Sequence, residues 1–164
     1  MWLSKLILVC VVTLAACGFT PAYAPGGSGG MLQNTVLAAE PRNKAAFDLV
    51  ERLEERLGPS DNPKYALTYS IATSLVGLGI TADNATTRYN LLGTVDWELT
   101  DVMTRARLTG GKAENFTAFS ATSSAVGGLA VREDAAQRLM RILADQIVSQ
   151  LLATSGSWAG TTAP

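Results

Sequence analysis

The sequence has no histidine and only two cysteines among its 164 residues. The absence of an imidazole excludes Ser-His-Asp and Cys-His nucleophilic mechanisms, and it excludes histidine-ligated metal sites as well. Two thiols are too few for a zinc site made of cysteines. The sequence therefore predicts neither a metal nor a cofactor, and it argues against a hydrolytic enzyme.

Charged side chains are also few, at 16% of the sequence, and the 13 Lys and Arg residues are balanced by 14 Asp and Glu residues. Nucleic-acid-binding proteins usually carry a basic excess, so a nucleic acid is not an expected partner. A hydrophobic content of 48% in 164 residues is enough for one domain with a substantial core.

Both cysteines lie in an N-terminal segment that reads as an export signal. Lys5 is the only charged residue before Glu40, and Leu6–Ala16 is a predominantly apolar run of eleven residues. This run matches the hydrophobic region of a signal peptide and is shorter than the ~20 residues that span a bilayer. We therefore expect residues 1–16 to be a cleaved signal peptide.

The segment ends in "LAAC", which looks like the lipobox of bacterial lipoprotein precursors. In that class the signal is cut before the cysteine, whose thiolate receives a diacylglycerol and whose amine is acylated. Cys17 is thus predicted to be an N-palmitoyl, S-diacylglycerol cysteine. Gly18 is not the aspartate that retains lipoproteins in the inner membrane, so we expect a lipid anchor at the periplasmic side of the outer membrane. The alternative is cleavage near Ala22-Tyr23-Ala24, which gives a soluble periplasmic protein.

Composition divides the rest of the chain into three parts. Residues 17–30 are rich in Gly, Pro and Ser and predict a lipidated flexible tether. Residues 31–153 carry the periodic patterns of a folded domain, whereas residues 154–164 predict a disordered tail.

Two helices are predicted within the domain. The first follows a possible N-cap at Asn43 and ends at Gly58-Pro59. Its expected buried positions recur at helical spacing: Ala46, Leu49, Val50, Leu53 and Leu57. The second covers residues 129–152, and its expected buried stripe is Ala135, Leu139, Leu143, Ile147 and Leu151, flanked by Ala136, Met140 and Ile142.

Four strands are predicted, over residues 31–39, 65–75, 86–101 and 105–119. The third alternates most strictly, with Leu91, Val95, Trp97 and Leu99 on one face. The fourth is expected to contain a bulge at Gly110-Gly111. The order β-α-β-β-β-α predicts an α+β fold, a two-layer sandwich with two helices packed on one face of a mostly antiparallel four-stranded sheet.

Charged residues on the strands offer two hypotheses. Asp96 and Glu98 share a strand face and could act as an acid and a base, although a solvated strand face explains them as well. Five cations could form a patch that binds phosphate, with Arg105 and Arg107 on one strand face: Arg88, Arg105, Arg107, Lys112 and Arg132. The alternative is a set of scattered surface cations in weak ion pairs.

Two motifs in this order of elements resemble a known family. They are "CGFTPAY" directly after the lipobox and "AVREDAAQRLMRILADQI" at residues 130–147. The chain resembles the LptE family of lipopolysaccharide (LPS)-assembly lipoproteins, most closely its alphaproteobacterial branch.

The resemblance implies an α/β sandwich without enzymatic activity that plugs the large outer-membrane β-barrel LptD and helps it fold. It also implies contact with LPS on its way to the outer leaflet, with cations bound to lipid A phosphates. The five cations above are candidates for that role. A stand-alone periplasmic glycolipid carrier is the alternative, and it would need an apolar cavity.

Overall fold

The computed structural model of the chain describes residues 28–80, 86–120 and 125–158. Within these ranges a four-stranded sheet of order β1-β2-β3-β4 is covered on one face by helices, which confirms the predicted α+β sandwich. The elements in chain order are α1 (Ser28–Leu32), β1 (Val36–Ala38), α2 (Lys44–Leu57), β2 (Tyr65–Ile80), β3 (Thr86–Asp101), β4 (Arg107–Ser120) and α3 (Ala125–Trp158).

The sheet is mostly antiparallel, as predicted. Short β1 pairs with β2 in parallel, whereas β2, β3 and β4 form antiparallel pairs over long stretches. The bounds of β3 agree with the prediction, and β2 extends beyond its predicted end at residue 75.

Helix α2 begins and ends where its sequence predicts. The side chain of Asn43 accepts a hydrogen bond from the Ala46 amide at 2.9 Å, which satisfies a donor that the first turn leaves free. Gly58 ends the helix at a φ of 78°, in the region that favours glycine, and its amide donates to the Glu54 carbonyl. All five predicted positions of the apolar face are buried.

The predicted first strand over residues 31–39 is wrong in its first half. Met31 and Leu32 belong to helix α1, and only Val36–Ala38 forms a strand. Asn34 separates the two elements: its φ of 58° ends the helical turn, and its amide donates to the Leu57 carbonyl at 2.7 Å. Helix α1 also takes residues 28–30 from the predicted tether, and the rest of that tether lies outside the described residues.

Helix α3 has the predicted buried stripe but is longer than predicted. All five stripe residues are buried, whereas the flanking Ile142 is 37% exposed. The helix continues to Trp158, so residues 154–158 are not the predicted disordered tail; residues 159–164 lie outside the described part. Trp158 is buried and packs edge-to-face on Tyr65, with ring centroids 5.3 Å apart. This aromatic contact holds the last turn on the core.

The predicted bulge of β4 lies elsewhere. Gly110 and Gly111 pair regularly with Glu98 and Trp97, and the register shifts two residues earlier. Leu99 pairs with Thr109 and Thr100 pairs with Arg107, which leaves Leu108 as the extra residue. The glycines serve close packing instead: a Cβ at Gly111 would lie 3.2 Å from the Trp97 ring and 3.0 Å from Gln150 Oε1.

Candidate functional site on the outer face of the sheet

One face of the sheet is free of helices, and we call it the outer face. Buried residues on β2, β3 and β4, such as Leu67, Val95 and Ala113, point towards the helices. Successive side chains of a strand alternate between faces, so the even-numbered residues of these three strands point outward. Arg107 is the exception, because the extra residue Leu108 shifts the phase of β4 and places Arg107 opposite Thr100 on the outer face. The register between the strands then shows which outward-pointing residues of β2, β3 and β4 lie side by side on this surface.

The half of the outer face near the β3–β4 turn is polar and carries a paired charge. Arg107 Nε lies 3.2 Å from Glu98 Oε2, and both side chains are exposed. The absence of a side chain at Gly110 makes room for this pair, because a Cβ there would lie 2.7 Å from an Arg107 nitrogen. Thr68, Ser70 and their neighbours complete a shallow groove of about 600 Å³.

The acidic residues of this half have cations beside them. Asp96 is directly opposite Lys112 in the register, and Lys112 Nζ lies 3.4 Å from Glu114 Oε1. Glu98 is engaged by Arg107. Opposite charges on neighbouring strands are typical of a strand face that is exposed to solvent. This arrangement favours the interpretation of Asp96 and Glu98 as solvated surface residues over their interpretation as an acid and base pair.

The other half of the outer face carries exposed apolar side chains among a few polar ones. Its large side chains are 40–56% exposed and come from all three long strands: Val76, Leu78, Leu92 and Phe116. We call these four residues the apolar patch. Every residue from Ala72 to Gly79 is exposed, so the helices do not cover this end of β2, whereas Leu91 and Gly93 of β3 at the same level are buried.

Arg88 lies at this apolar end. It pairs in register with Leu78 and Ser120, is exposed, and has no carboxylate within salt-bridge distance in the described part of the chain. Twelve residues of β3 separate it from Thr100, the partner of Arg107. At a rise of about 3.4 Å per residue, the two cations are roughly 40 Å apart along the strand.

The other candidate cations do not join Arg88 either. Arg105 lies in the β3–β4 turn at a φ of 59°, so the prediction that it shares a strand face with Arg107 is wrong. Arg132 is exposed on α3, three residues before Ala135, whose carbonyl accepts from Thr117 of β4. The five cations therefore occupy separate places: three near the β3–β4 turn, one at the apolar end and one on a helix.

The sequence reasoning missed the apolar patch. Even-numbered positions at the far end of β2 and β3 carry Val76, Leu78 and Leu92, which breaks the alternation of apolar and polar residues seen closer to the turn. That loss of alternation could have indicated the patch. Helices cover only one face of the sheet, so apolar residues on both faces of a strand end leave one apolar face exposed.

Within the described ranges, no group of three or more carboxylates or other metal-ligating side chains is placed to hold a metal ion. No helix there is long and apolar enough to cross a membrane.

Comparison with protein families decides the identity of this domain. A family model described as LptE, lipopolysaccharide-assembly, matches residues 34–151, from the loop before β1 almost to the end of α3. The chain belongs to the LptE family. LptE proteins are non-enzymatic LPS-assembly lipoproteins, and this chain contains the matched domain over most of its length. No curated protein sequence matches the chain.

Solved structures share the fold of this LptE domain. A proposed lipoprotein from Caulobacter crescentus has a TM-score of 0.63 and 23% identity, over 83% of this chain and 97% of that one. The rare lipoprotein B from Shewanella oneidensis has a TM-score of 0.58 and 12% identity, over 74% and 95%. Lipoprotein B from Nitrosomonas europaea has a TM-score of 0.56 and 12% identity, over 78% and 86%. At these identities the likeness concerns the fold alone.

Proposed function

We propose that this LptE protein is an outer-membrane lipoprotein that plugs the LptD β-barrel, helps it assemble, and assists insertion of LPS into the outer leaflet. Membership of the LPS-assembly family supports the general role. The solid packing of the domain is the observation that supports its role as a plug, because a plug must keep its shape inside a polar barrel lumen.

The packing between sheet and helices supports a plug over a carrier. A gap that reaches the core beside β1, lined by Val36, Leu53 and Leu67, has a volume of only about 10 Å³. That volume is barely enough for one water molecule and far too small for an acyl chain. At the centre of the sandwich, Gly93 lets the side chains of Leu139 and Leu143 approach the sheet closely. A glycolipid carrier would need an apolar cavity in this layer.

The proposed anchor is Cys17, acylated on its sulfur and its amine after removal of residues 1–16. Cys17 lies outside the described residues, so this proposal rests on the lipobox. Each buried methylene of an acyl chain contributes ~0.8 kcal/mol, so several chains hold a protein stably at a membrane. The anchor would keep the domain at the periplasmic side of the outer membrane, where the barrel is assembled.

Contact with LPS is proposed at the apolar end of the outer face. LPS is an amphiphile with phosphates beside acyl chains, and Arg88 is an unpaired exposed guanidinium beside Val76 and Leu78 among the described residues. A guanidinium binds phosphate through two parallel hydrogen bonds. Arg88 is therefore the first candidate for a phosphate contact.

The other four cations remain candidates with smaller expected effects. Arg107 and Lys112 already have carboxylate partners at 3.2 and 3.4 Å. Arg105 is exposed in the β3–β4 turn, and Arg132 is exposed on α3, which covers the face of the sheet opposite the apolar patch. A phosphate at Arg107 or Lys112 would have to compete with an existing ion pair, and Arg105 and Arg132 lack the apolar patch that lies beside Arg88.

A pull-down of LPS by the purified protein tests this assignment. Arg88→Glu should weaken LPS binding by about tenfold, which corresponds to ~1.4 kcal/mol. Arg138→Glu is the matched control, because Arg138 is an exposed helix cation paired with Asp134 and should leave binding unchanged. Unchanged binding by Arg88→Glu together with a large loss in an Arg105→Glu, Arg107→Glu double variant would move the site to the turn. Unchanged binding in both would remove Arg88, Arg105 and Arg107 from the proposal.

A further inference from the structure

The two edges of the sheet differ in how their backbone groups are protected. In the order β1-β2-β3-β4, strand β4 forms one edge, whereas at the other edge the short β1 covers only the first residues of β2. An unpaired edge is a row of N–H and C=O groups that can pair with another strand, and natural proteins block it with charges, proline or bulges. We call residues 71–77 of β2 the free edge.

The backbone groups of the free edge are left without a partner because β1 ends at Ala38. The Tyr65 amide donates to the Thr35 carbonyl at 3.0 Å, and the Leu67 carbonyl accepts from the Ala39 amide at 2.8 Å. Odd-numbered residues of β2 therefore direct their backbone groups away from β3, and the regular register with β3 keeps this phase through the free edge. Within the described ranges, no hydrogen bond from another element reaches those groups of the free edge.

The free edge has none of the usual protection against strand pairing. Tyr65–Ile80 contains no charged residue and no proline, and its register with β3 has no bulge along the free edge. All residues from 72 to 79 are exposed. The side chains are apolar on both faces of the strand, since Leu75 on the helix side is 40% exposed and Val76 on the outer face is 43% exposed. Such an edge favours the addition of another strand.

The edge of β4, by contrast, is protected by charges, a bulge and side-chain hydrogen bonds. Its charged residues are Arg107, Lys112 and Glu114. The Lys112 carbonyl accepts a hydrogen bond from Gln150 Nε2 at 3.0 Å, and the Phe116 amide donates to Asn115 Oδ1 at 2.8 Å. One sheet thus blocks one of its edges and leaves the other open, which points to a partner at the free edge.

The chemistry of the free edge selects an extended polypeptide as that partner. Its alternating N–H and C=O groups are matched by the backbone of another strand, whereas an acyl chain offers no hydrogen-bonding groups. The absence of charge along the edge favours a segment with uncharged, largely apolar side chains. Val76 belongs to both the free edge and the apolar patch, so an added strand would border the surface proposed for LPS.

The proposed plug supplies the source of this segment. A domain enclosed in a barrel lumen meets the barrel protein rather than a second copy of itself. The strands of a closed barrel wall are paired on both sides, so the wall itself has no edge to offer. The segment must therefore come from a part of the barrel protein outside its wall, such as a loop that folds into the lumen.

We propose that an extended segment of the barrel protein, from outside the barrel wall, pairs with the free edge and adds a strand to the sheet. The proposal rests on the proposed plug and states how the plug is held. The added strand would satisfy the edge-directed groups of β2 and cover Leu75 and Val76 at this edge.

Hydrogen exchange of the complex of the chain with the barrel protein, resolved to single amides by mass spectrometry, tests this pairing. The amides of Ile71, Thr73 and Leu75 should exchange at least about tenfold more slowly in the complex than in the chain alone. The amides of Glu114 and Ala118 on the edge of β4 are the matched control, and their exchange should change by less than about twofold.

A pair of proline variants tests the same contact by substitution. Thr73→Pro removes one N–H from the free edge and leaves the pairing with β3 in place, and Ala118→Pro removes one from the edge of β4. Thr73→Pro should reduce the barrel protein recovered with the tagged chain by at least about threefold relative to Ala118→Pro, and equal recovery would overturn the proposal. Circular dichroism checks that both variants fold, and the exchange measurement, which needs no substitution, decides if either does not.

The remaining outcomes separate this proposal from the plug. Equal slowing at both edges would indicate general shielding, and no slowing in a complex that contains the barrel would leave a plug without an added strand. A preparation without the barrel would overturn the plug and this proposal together. Slow exchange of the free edge in the isolated chain would assign the edge to a second copy if the chain elutes as a dimer, and to another segment of the same chain if it elutes as a monomer.

Discussion

Substitution of Gly93 by alanine tests whether the sheet and helices are packed as tightly as the plug requires. Gly93 lies on the buried face of β3. A Cβ at this position would lie 2.9 Å from Leu139 Cδ2, 3.0 Å from Leu143 Cδ1 and 3.1 Å from Leu139 Cγ. Carbon atoms in good contact are about 3.5–4.0 Å apart, so both leucines must move. Both are fully buried, and the close packing of a protein core resists such a movement.

The expected net effect combines two opposing terms. Overpacking of a core typically costs ~1–3 kcal/mol. Alanine in a strand is favoured over glycine by roughly 0.5–1 kcal/mol, because less backbone freedom is lost on folding. The difference spans ~0–2.5 kcal/mol, and since three contacts shorter than about 3.2 Å must be relieved among fully buried side chains, we expect Gly93→Ala to lower the free energy of unfolding by ~1–2 kcal/mol within that range. In a chain of this size, 1 kcal/mol corresponds to about 2–4 °C in the thermal midpoint.

Urea unfolding followed by circular dichroism measures this effect, and Gly156→Ala is a matched control. Gly156 is exposed on α3 with nothing within 4 Å of an added Cβ, so alanine there should stabilise the protein by up to ~1 kcal/mol. In a Leu139→Ala background, the cost of Gly93→Ala should fall by more than ~0.5 kcal/mol because two of the three close contacts are gone. If Gly93→Ala is as stable as the unsubstituted protein, the sandwich has spare volume and the argument against a carrier fails.

Two further predictions concern contacts that position β3 and β4 near the turn between them. Gln150→Ala removes the acceptor of the buried Trp97 indole N–H, at 2.9 Å, and a bond to the Lys112 carbonyl, at 3.0 Å. It should lower the free energy of unfolding, measured in urea, by ~1–3 kcal/mol. The control variant Gln137→Ala should change this free energy by less than ~0.5 kcal/mol. Equal effects of the two variants would contradict a stabilising role of the two Gln150 hydrogen bonds. The backbone hydrogen bond from Thr104 is the main cause of a lowered Asp101 pKa. The lowered pKa of Asp101 means that its charge stabilises the fold fully above its ordinary pKa of 3.8 and that this contribution is lost as the pH falls through the lowered value. The difference in thermal midpoint between the unsubstituted protein and Asp101→Asn should therefore be constant at neutral pH and shrink below pH 3.8, and a difference that persists at strongly acidic pH would contradict it.

Elements with a clear period were predictable from the sequence. The apolar spacing and the Asn43 cap defined α2, and strict alternation defined β3, because each pattern is local to its element. The start of the domain was not predictable in the same way. Met31 and Leu32 are compatible with a strand or a helix, and the left-handed turn at Asn34 and its bond to the Leu57 carbonyl decide between them.

The end of α3 was missed for a related reason. The Gly and Ser residues after Thr154 have low helix propensity, so the sequence pattern predicts no helix there. The contact of Trp158 with Tyr65 nevertheless holds this turn on the core. A local pattern cannot predict a contact between residues that are about ninety positions apart in the sequence.

The site was predictable only in part. The sequence identified an outer strand face with charges, but the separation of Arg88 from Arg107 follows from the length and register of β3 and β4. The same register brings together Leu92 and Phe116 from different strands, and no spacing within one strand reveals such a neighbour.

Purification of the tagged chain from outer membranes in mild detergent tests the central claim, that this domain plugs a barrel, most directly. The plug predicts that a very large β-barrel protein, identified by mass spectrometry as LptD, elutes with the chain in equimolar amount. Elution of the chain alone under conditions that keep other outer-membrane complexes intact would contradict it.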